Sequence, residues 1–275
     1  MGSFARVGSQ TKTMLKMGWR VLFATGLSLG LTLGMGATVR AQDQYPRNTP
    51  PELKTFLTRL EDAANRHNSD EVIQFYSQEF ANSDDLDRSQ LSEKLETLWE
   101  RYGNLNYFTK LESWQQQGDR IVLETTTFIT GTRTDNGREM RLKTQMRSRQ
   151  VLQGEVFISQ EILSERTEIL MGDNPPEVQF NLPDRVQPGE RFNFDAIVKT
   201  PLGEELLLGA AIEEEVNGDR YFSSEAFDLE LLQAGGLFKQ GTAPEESGDR
   251  WVSAILISGE GTIIITQRLR VEAAD

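Results

Sequence analysis

His67 is the only histidine in the chain, and there is no cysteine. Any nucleophile–histidine chemistry would have to run through that one imidazole, and no Gly-x-Ser-x-Gly elbow accompanies it. A zinc site needs several imidazole or thiolate ligands, so no metal is expected. His67 lies at the end of a helical pattern, where an imidazole commonly caps the last carbonyls. The remaining proton-moving candidates are carboxylates on strand-like stretches, Glu124, Glu161 and Glu165. Buried, such a group becomes a general base. Beside Arg141, Arg147 and Arg149 it serves equally as half of a cross-strand ion pair. Glu213-Glu214-Glu215 and Asp84-Asp85 lack the spacing of a calcium loop, and no glycine loop is built to cradle phosphate. No catalytic residue and no cofactor is assigned. A second set is apolar: Tyr76, Trp99, Tyr102, Phe108, Phe128, Met140 and Met146. These are the expected ligand-binding residues, lining a pocket for a small apolar molecule. The alternative is that they simply pack a core.

Three amphipathic helices and then a strand meander must position these groups. Thr49-Pro50-Pro51-Glu52 fits a capping box with prolines in the first turn. The helix it opens carries Leu53, Phe56, Leu57 and Leu60 on one face. Ser69 caps a second helix whose buried side is Val72, Ile73, Tyr76 and Phe80. Asp87 and Gln90 open a third, with Leu91, Leu95, Leu98 and Tyr102 as its stripe and Gly103 as its left-handed stop. Four long strands follow, Asn106–Gln115, Arg120–Arg133, Glu139–Leu152 and Val156–Leu170, with Asp135-Asn136-Gly137 as a hairpin turn. The third alternates clearly. Met140, Leu142, Thr144, Met146 and Ser148 point one way, and Arg141, Lys143, Gln145, Arg147 and Arg149 the other. The inward row holds no acid.

Asn65-Arg66-His67-Asn68-Ser69-Asp70-Glu71-Val72-Ile73-Gln74-Phe75-Tyr76-Ser77 resembles the first helix junction of the nuclear transport factor 2-like (SnoaL-like) superfamily. The resemblance covers about Pro50 to Gly172. It implies a cone, in which a curved sheet wraps the first helix and leaves a pocket at the open end. Members of that superfamily include isomerases, cyclases, dehydratases, epoxide hydrolases, carotenoid-binding domains and non-catalytic assembly modules, so fold alone assigns no chemistry.

Asp173-Asn174-Pro175-Pro176 is a rigid break. Beyond it the pattern is all-β, with strands expected at Val178–Leu182, Arg191–Thr200, Leu206–Val216, Phe227–Gln233, Arg250–Ser258 and Thr262–Glu272. Ala234 to Glu246 reads as a long loop and a candidate contact surface. Strand count suggests an immunoglobulin-like sandwich, and Pro183 to Glu190 resembles the loop between the first two strands of such domains. The expected fold class is therefore α+β: a cone-shaped, helix-wrapped antiparallel sheet followed by an all-β sandwich. The expected domains are 51–172 and 173–275, after a linker over 42–50.

Residues 1–41 hold five basic residues and no acid, ahead of and around an uncharged stretch from Val21 to Val39. With Val39-Arg40-Ala41 before Gln42, this reads as a signal peptide cleaved after Ala41. The alternative is a retained anchor. Residues 42–275 hold 24 basic and 42 acidic residues, a net of −18. Such acidity disfavours nucleic acid and anionic lipid. The expected function is that of an exported, periplasmic or secreted, non-catalytic protein of the cell envelope that binds a ligand or another protein. The alternative is a small-molecule isomerase or lyase with a carboxylate in the cone. Expected partners are a small apolar ligand or an envelope protein, with a homodimer through the sheet face as a further option. Membrane contact is expected only if the leader is retained.

Overall fold

The computed structural model describes residues 44–135, 137–199, 206–222, 226–232 and 235–273. The leader, its cleavage site and the Leu202-Gly203 turn lie outside the described residues.

Helix α1 spans Pro51–Asn65, with Pro51 in its first turn; its N-cap is Pro50, which makes no side-chain cap. Thr49 does not close a capping box; its hydroxyl donates to the Pro46 carbonyl. The expected second helix is split. Helix α2 is only Ser69–Val72, a 3-10 turn covers Ile73–Phe75, and strand β1 runs Tyr76–Asn82. The β-branched and aromatic content of this stretch suits a pleated surface, and a parallel partner strand is at hand. Helix α3, Arg88–Arg101, opens with the reciprocal Asp87–Gln90 capping box. It ends at Tyr102 in an extended conformation, so no left-handed Gly103 is needed.

The strands that follow are β2 (Asn106–Gln117), β3 (Arg120–Asp135), β4 (Arg138–Gln153), β5 (Val156–Gly172), β6 (Val178–Asn181), β7 (Arg185–Val186), β8 (Arg191–Val198), β9 (Leu208–Glu215), β10 (Glu230–Leu231), β11 (Gly236–Thr242), β12 (Gly248–Ile257) and β13 (Gly261–Val271). Strand β11 occupies most of the stretch expected to be a loop.

The expected class, a helix-wrapped cone followed by a separate sandwich, is not what forms. Among the described residues, one sheet of ten strands runs β10-β9-β12-β13-β5-β4-β3-β2, with β1 and β7 as side branches. The cause is β5, which at 17 residues is long enough to serve two partners in turn. On one edge its first part pairs in parallel with β1, through Phe157, Ser159 and Gln160. On the same edge Arg166–Gly172 pairs antiparallel with β13. The other edge is held by β4 throughout. The helices cover only part of this sheet, and β11-β8-β6 form a second sheet.

Two apolar cores result. The first joins Leu53, Phe56 and Leu57 of α1 to Trp99, Leu111, Leu123 and Phe157. The second gathers Val252, Ala254 and Leu256 of β12 and Ile263, Ile265 and Leu269 of β13 against Phe180, Phe194 and Leu237. The stretch before α1 is docked rather than loose: Leu111 N–H donates to the Gln44 carbonyl at 3.0 Å. The outer edge of β2 is closed further by α1. Glu61 accepts the Thr109 N–H at 2.6 Å, and Asn65 exchanges two bonds with the Tyr107 backbone. Capping an edge strand in this way removes a pairing template.

Candidate functional site

Alternation on β4 places Met140, Leu142 and Ser148 inside and Lys143, Gln145, Arg147 and Arg149 outside. Of the seven expected lining residues, five lie on the inner side and are spread through the packing. Tyr76 meets Phe80 at 4.8 Å and Phe157 at 5.7 Å, ring to ring. Trp99 is buried, and its indole N–H donates to the Tyr107 hydroxyl at 2.9 Å. Burial pushes the Tyr76 and Tyr107 hydroxyls up to about 12. Tyr102 is buried under the Arg133 guanidinium, and the Arg133 Nε–H also points at the Met140 sulfur. Met146 is half-buried on the same face. Phe108 and Phe128 are not brought together with these five. They form a ring pair at 6.1 Å beside the exposed Gln145, on the opposite face. His67 takes the left-handed position that closes α1, with φ 54°. It stacks on Trp99 at 5.3 Å and bonds the Leu105 carbonyl at 3.0 Å. Its ring is spent on structure.

The densest chemistry lies instead where β5 changes partner. Asn82 caps its own loop, accepting the Asp84 N–H at 2.7 Å. The loop turns Asp84 inward, where it is 2% exposed. There it meets Arg268 of β13, whose side chain is 0% exposed. The two make a fork-to-fork pair at 2.9 and 2.6 Å, the geometry in which guanidinium and carboxylate match best. Arg268 also reaches Asp249 at 2.8 Å and Glu165 at 3.2 Å. Tyr221 donates its hydroxyl to Asp84 at 2.5 Å, and Ser83 donates at 3.0 Å. Trp251 donates to Glu165 at 3.1 Å and packs edge-on to Tyr221.

This is a buried carboxylate beside a tyrosine, the pairing a carboxylate-based isomerase would use. Its electrostatics run the other way. Burial alone would raise the Asp84 carboxyl, but the bonds and charge of Arg268, then the Tyr221 and Ser83 hydroxyls, hold it below the usual carboxylate range. The Tyr221 hydroxyl is pushed up by burial and by the Glu165 and Asp84 charges. Both Asp84 oxygens are occupied by permanent donors. A general base needs a pKa near the working pH and an open lone pair, and Asp84 has neither. The cluster is a lock between the two halves of the chain.

Outside the lock the ion pairs continue as an alternating chain. Arg147 meets Glu124 at 2.5 Å, Glu124 meets Arg149 at 3.0 Å, and Arg149 meets Glu161 at 3.1 Å. Glu161 meets Arg270 at 2.8 Å, Arg270 meets Glu272 at 3.4 Å, and Glu272 meets Arg185 at 2.7 Å. The chain crosses from β3 to β7 over a cleft of ≈ 740 Å³. A bulge shapes the cleft floor. Arg147 pairs with Ser164 and Ser148 with Ile162, so Leu163 has no partner on β4. Leu163 and Ser164 both line the cleft. Bulges commonly re-aim side chains in this way beside functional sites. A smaller recess of ≈ 350 Å³ adjoins it and shares Arg149 and Glu161.

Two of the three strand carboxylates singled out in the sequence, Glu124 and Glu161, are thus members of the ionic chain, and Glu165 belongs to the lock. Asp84 was weighed only as part of a calcium loop and set aside, and Tyr221, Trp251, Arg268 and Arg270 were not singled out. Asp84 and Arg268 are 184 residues apart, and no local spacing links them.

Residues 173–272 match a family described as a domain of unknown function, DUF8623. That description names no immunoglobulin-like fold. No curated protein matches the chain. Similar solved structures include Bd1075 of Bdellovibrio bacteriovorus, at 12% identity over 40% of this chain and 40% of that one, TM-score 0.31. This chain therefore spans well under half of that protein's length. A conserved protein from Planctomyces limnophilus is 15% identical over 40% of this chain and 90% of that one, TM-score 0.30. A hypothetical protein from Catenulispora acidiphila with a ketosteroid isomerase-like fold, in complex with trimethylamine, is 16% identical over 42% and 85%, TM-score 0.31. The likeness to that ketosteroid isomerase-like structure thus extends over only 42% of the chain.

Proposed function

We propose that the chain is an exported, non-catalytic interaction protein of the cell envelope, and that it takes its partner at the cleft between its two halves. One observation carries the non-catalytic reading. The buried Asp84 beside Tyr221 is committed to Arg268, so it cannot accept a substrate proton. The choice of surface rests on the cleft itself. It presents Arg147, Arg149, Arg185 and Arg270 among Glu161, Asp184, Glu190 and Glu272 around an apolar floor of Leu163 and Val186. Paired charges of both signs around an apolar patch suit a protein segment better than a small apolar ligand.

The test is photo-crosslinking in the producing cell. A crosslinker at Gln187, exposed on the cleft rim, is compared with one at Gln116, exposed on the far edge strand. A discrete protein adduct from Gln187 alone is the expected result. Equal adducts from both positions, or none, would sink the assignment of the cleft.

Export is checked separately. Intact-mass and N-terminal analysis of the protein recovered outside the cytoplasm should find Gln42 first. A chain that still begins at residue 1 or 2 and sediments with membranes would identify Val21–Val39 as an anchor instead.

A further inference from the structure

One arm of the lock carries a chemistry of its own. After β9 the chain leaves the sheet as Val216-Asn217-Gly218-Asp219-Arg220-Tyr221, and a 3-10 turn over Gly218–Arg220 delivers Tyr221 to Asp84. The fold dictates two of these positions. Asn217 caps the turn, its Oδ1 accepting the Asp219 N–H at 2.8 Å. Asparagine suits the place, because its short side chain reaches a backbone N–H two residues on. Gly218 is pressed against the Asp84 loop. It is buried, its N–H donates to the Asp84 carbonyl at 2.9 Å, and a Cβ there would collide with Leu86. Cap and close approach together set an asparagine directly before a glycine.

That pair is labile in water. Asparagine is among the thermolabile side chains, and a following glycine has no Cβ to shield its nitrogen or restrict its rotation. The Gly218 nitrogen is placed to attack the Asn217 Cγ. The N–Cγ bond forms, the Cγ–Nδ2 bond breaks, and the Gly218 amide proton leaves with the ammonia. Water then opens the cyclic imide. Opening at Cγ gives aspartate. Opening at the main-chain carbonyl gives a β-linked aspartate, with one extra carbon in the backbone. Neither route needs an oxidant, a reductant or a cofactor.

The closed lock opposes this reaction at three points. Asn217 is extended, with φ −156° and ψ 139°, and ring closure requires ψ to swing until the Gly218 nitrogen eclipses Cβ. The attacking nitrogen is engaged with the Asp84 carbonyl, and the carboxamide is engaged with the Asp219 N–H. Swinging Asn217 breaks both bonds and draws the turn away from Leu86 and Asp84.

We propose that Asn217-Gly218 is a deamidation site kept shut by the closed lock, and that conversion to the β-linked form makes an opening permanent. The extra backbone carbon falls between the cap and the turn, so Gly218 no longer meets the Asp84 carbonyl with Tyr221 in place. The product also adds a carboxylate next to a cluster in which Asp84, Asp249 and Glu165 already share Arg268. Opening is fast and the chemistry slow, so the rate of conversion tracks the population of the open segment.

The test is peptide mapping by mass spectrometry of the purified chain held in warm, mildly alkaline buffer, beside the free synthetic peptide Glu215–Phe222. Asn217 should convert at least about 100-fold more slowly in the folded chain than in the peptide. Arg268→Met should speed it at least about 10-fold. Because that variant can also unfold the chain, Tyr221→Phe supplies a milder opening: it removes the hydroxyl bond to Asp84 and keeps a ring against Trp251. It should stay folded by circular dichroism and convert at least about 3-fold faster than wild type. The β-linked chain, separated by ion exchange, should unfold at lower urea than the unconverted chain. A folded wild type that converts at the peptide's rate overturns the proposal. So does a Tyr221→Phe chain no faster than wild type, whatever Arg268→Met does, and unchanged urea curves for the β-linked chain would remove the permanence.

Discussion

Replacing Arg268 with methionine should destabilise the protein by about 3–5 kcal/mol and lower its Tm by roughly 10 °C. The side chain is 0% exposed and is the shared partner of Asp84, Glu165 and Asp249. Methionine fills much of the volume, so lost packing is a minor part of the effect. The major part is what stays behind: Asp84, almost fully buried, without its cation. Removing one member of a buried ion pair is far more damaging than replacing the whole pair with apolar groups. Denaturant unfolding of Arg268→Met, Asp84→Asn and the double variant checks this. The double variant should lose at least about 1 kcal/mol less than the two single losses added together, because the groups touch. Arg268→Lys should fall between, since one ammonium cannot hold the fork on Asp84 and also reach Asp249 and Glu165. A loss below about 1 kcal/mol for Arg268→Met would mean that the lock does not hold the halves.

That lock was the least legible part of the sequence. Much of the local structure could be read. The Asp87–Gln90 box opens α3 as its spacing says. The alternation on β4 separates Met140, Leu142 and Ser148 from Arg147 and Arg149 as read. What periodicity cannot state is partner choice. The strand itself was legible from Val156 to Leu170, but nothing in its residues says that Leu163 will bulge or that Arg166–Gly172 will pair with β13. An uninterrupted ladder across the Asp173–Pro176 break is what turns two expected units into one sheet. The Tyr76–Asn82 stretch shows the same limit on a smaller scale. Its apolar spacing fitted a helix, and a free edge of β5 drew it into a strand. Phe108 and Phe128 were a different kind of miss, because the signal was present. The Asp135-Asn136-Gly137 turn sets a register in which Phe128 opposes Gln145, already assigned to the outer row. Arg268 carried no such signal. In a strand reading Thr266-Gln267-Arg268-Leu269-Arg270, an arginine on the face away from the core looks solvated until Asp84 arrives from 184 residues away.

Acid should dissolve the lock, and the sign follows from its groups. Asp84 is held below its ordinary value in the folded chain, chiefly by Arg268 acting against the effect of burial. A depressed carboxyl contributes stability that is fully present above its unfolded value, about 3.9. That contribution is lost as pH falls through the folded value. Glu124, held down first by its bond to Arg147, and Glu112 shift in the same direction, but both are near the surface and add little. Arg268 and Tyr221 are shifted upward, so they keep their charge states through neutral pH and leave the acid limb to the carboxylates. Stability measured by urea unfolding should therefore be flat from about pH 5 to 8 and fall steeply below pH 4. Asp84→Asn separates this group from the other carboxylates. The variant should be weaker at neutral pH, because Arg268 loses its charged partner. Its acid limb should be shallower by up to about 1.4 kcal/mol per pH unit, the slope of one missing proton. The two curves should thus converge towards pH 2. Parallel curves would show that Asp84 takes up no proton on unfolding in acid, and the electrostatic reading of the lock would fall with them.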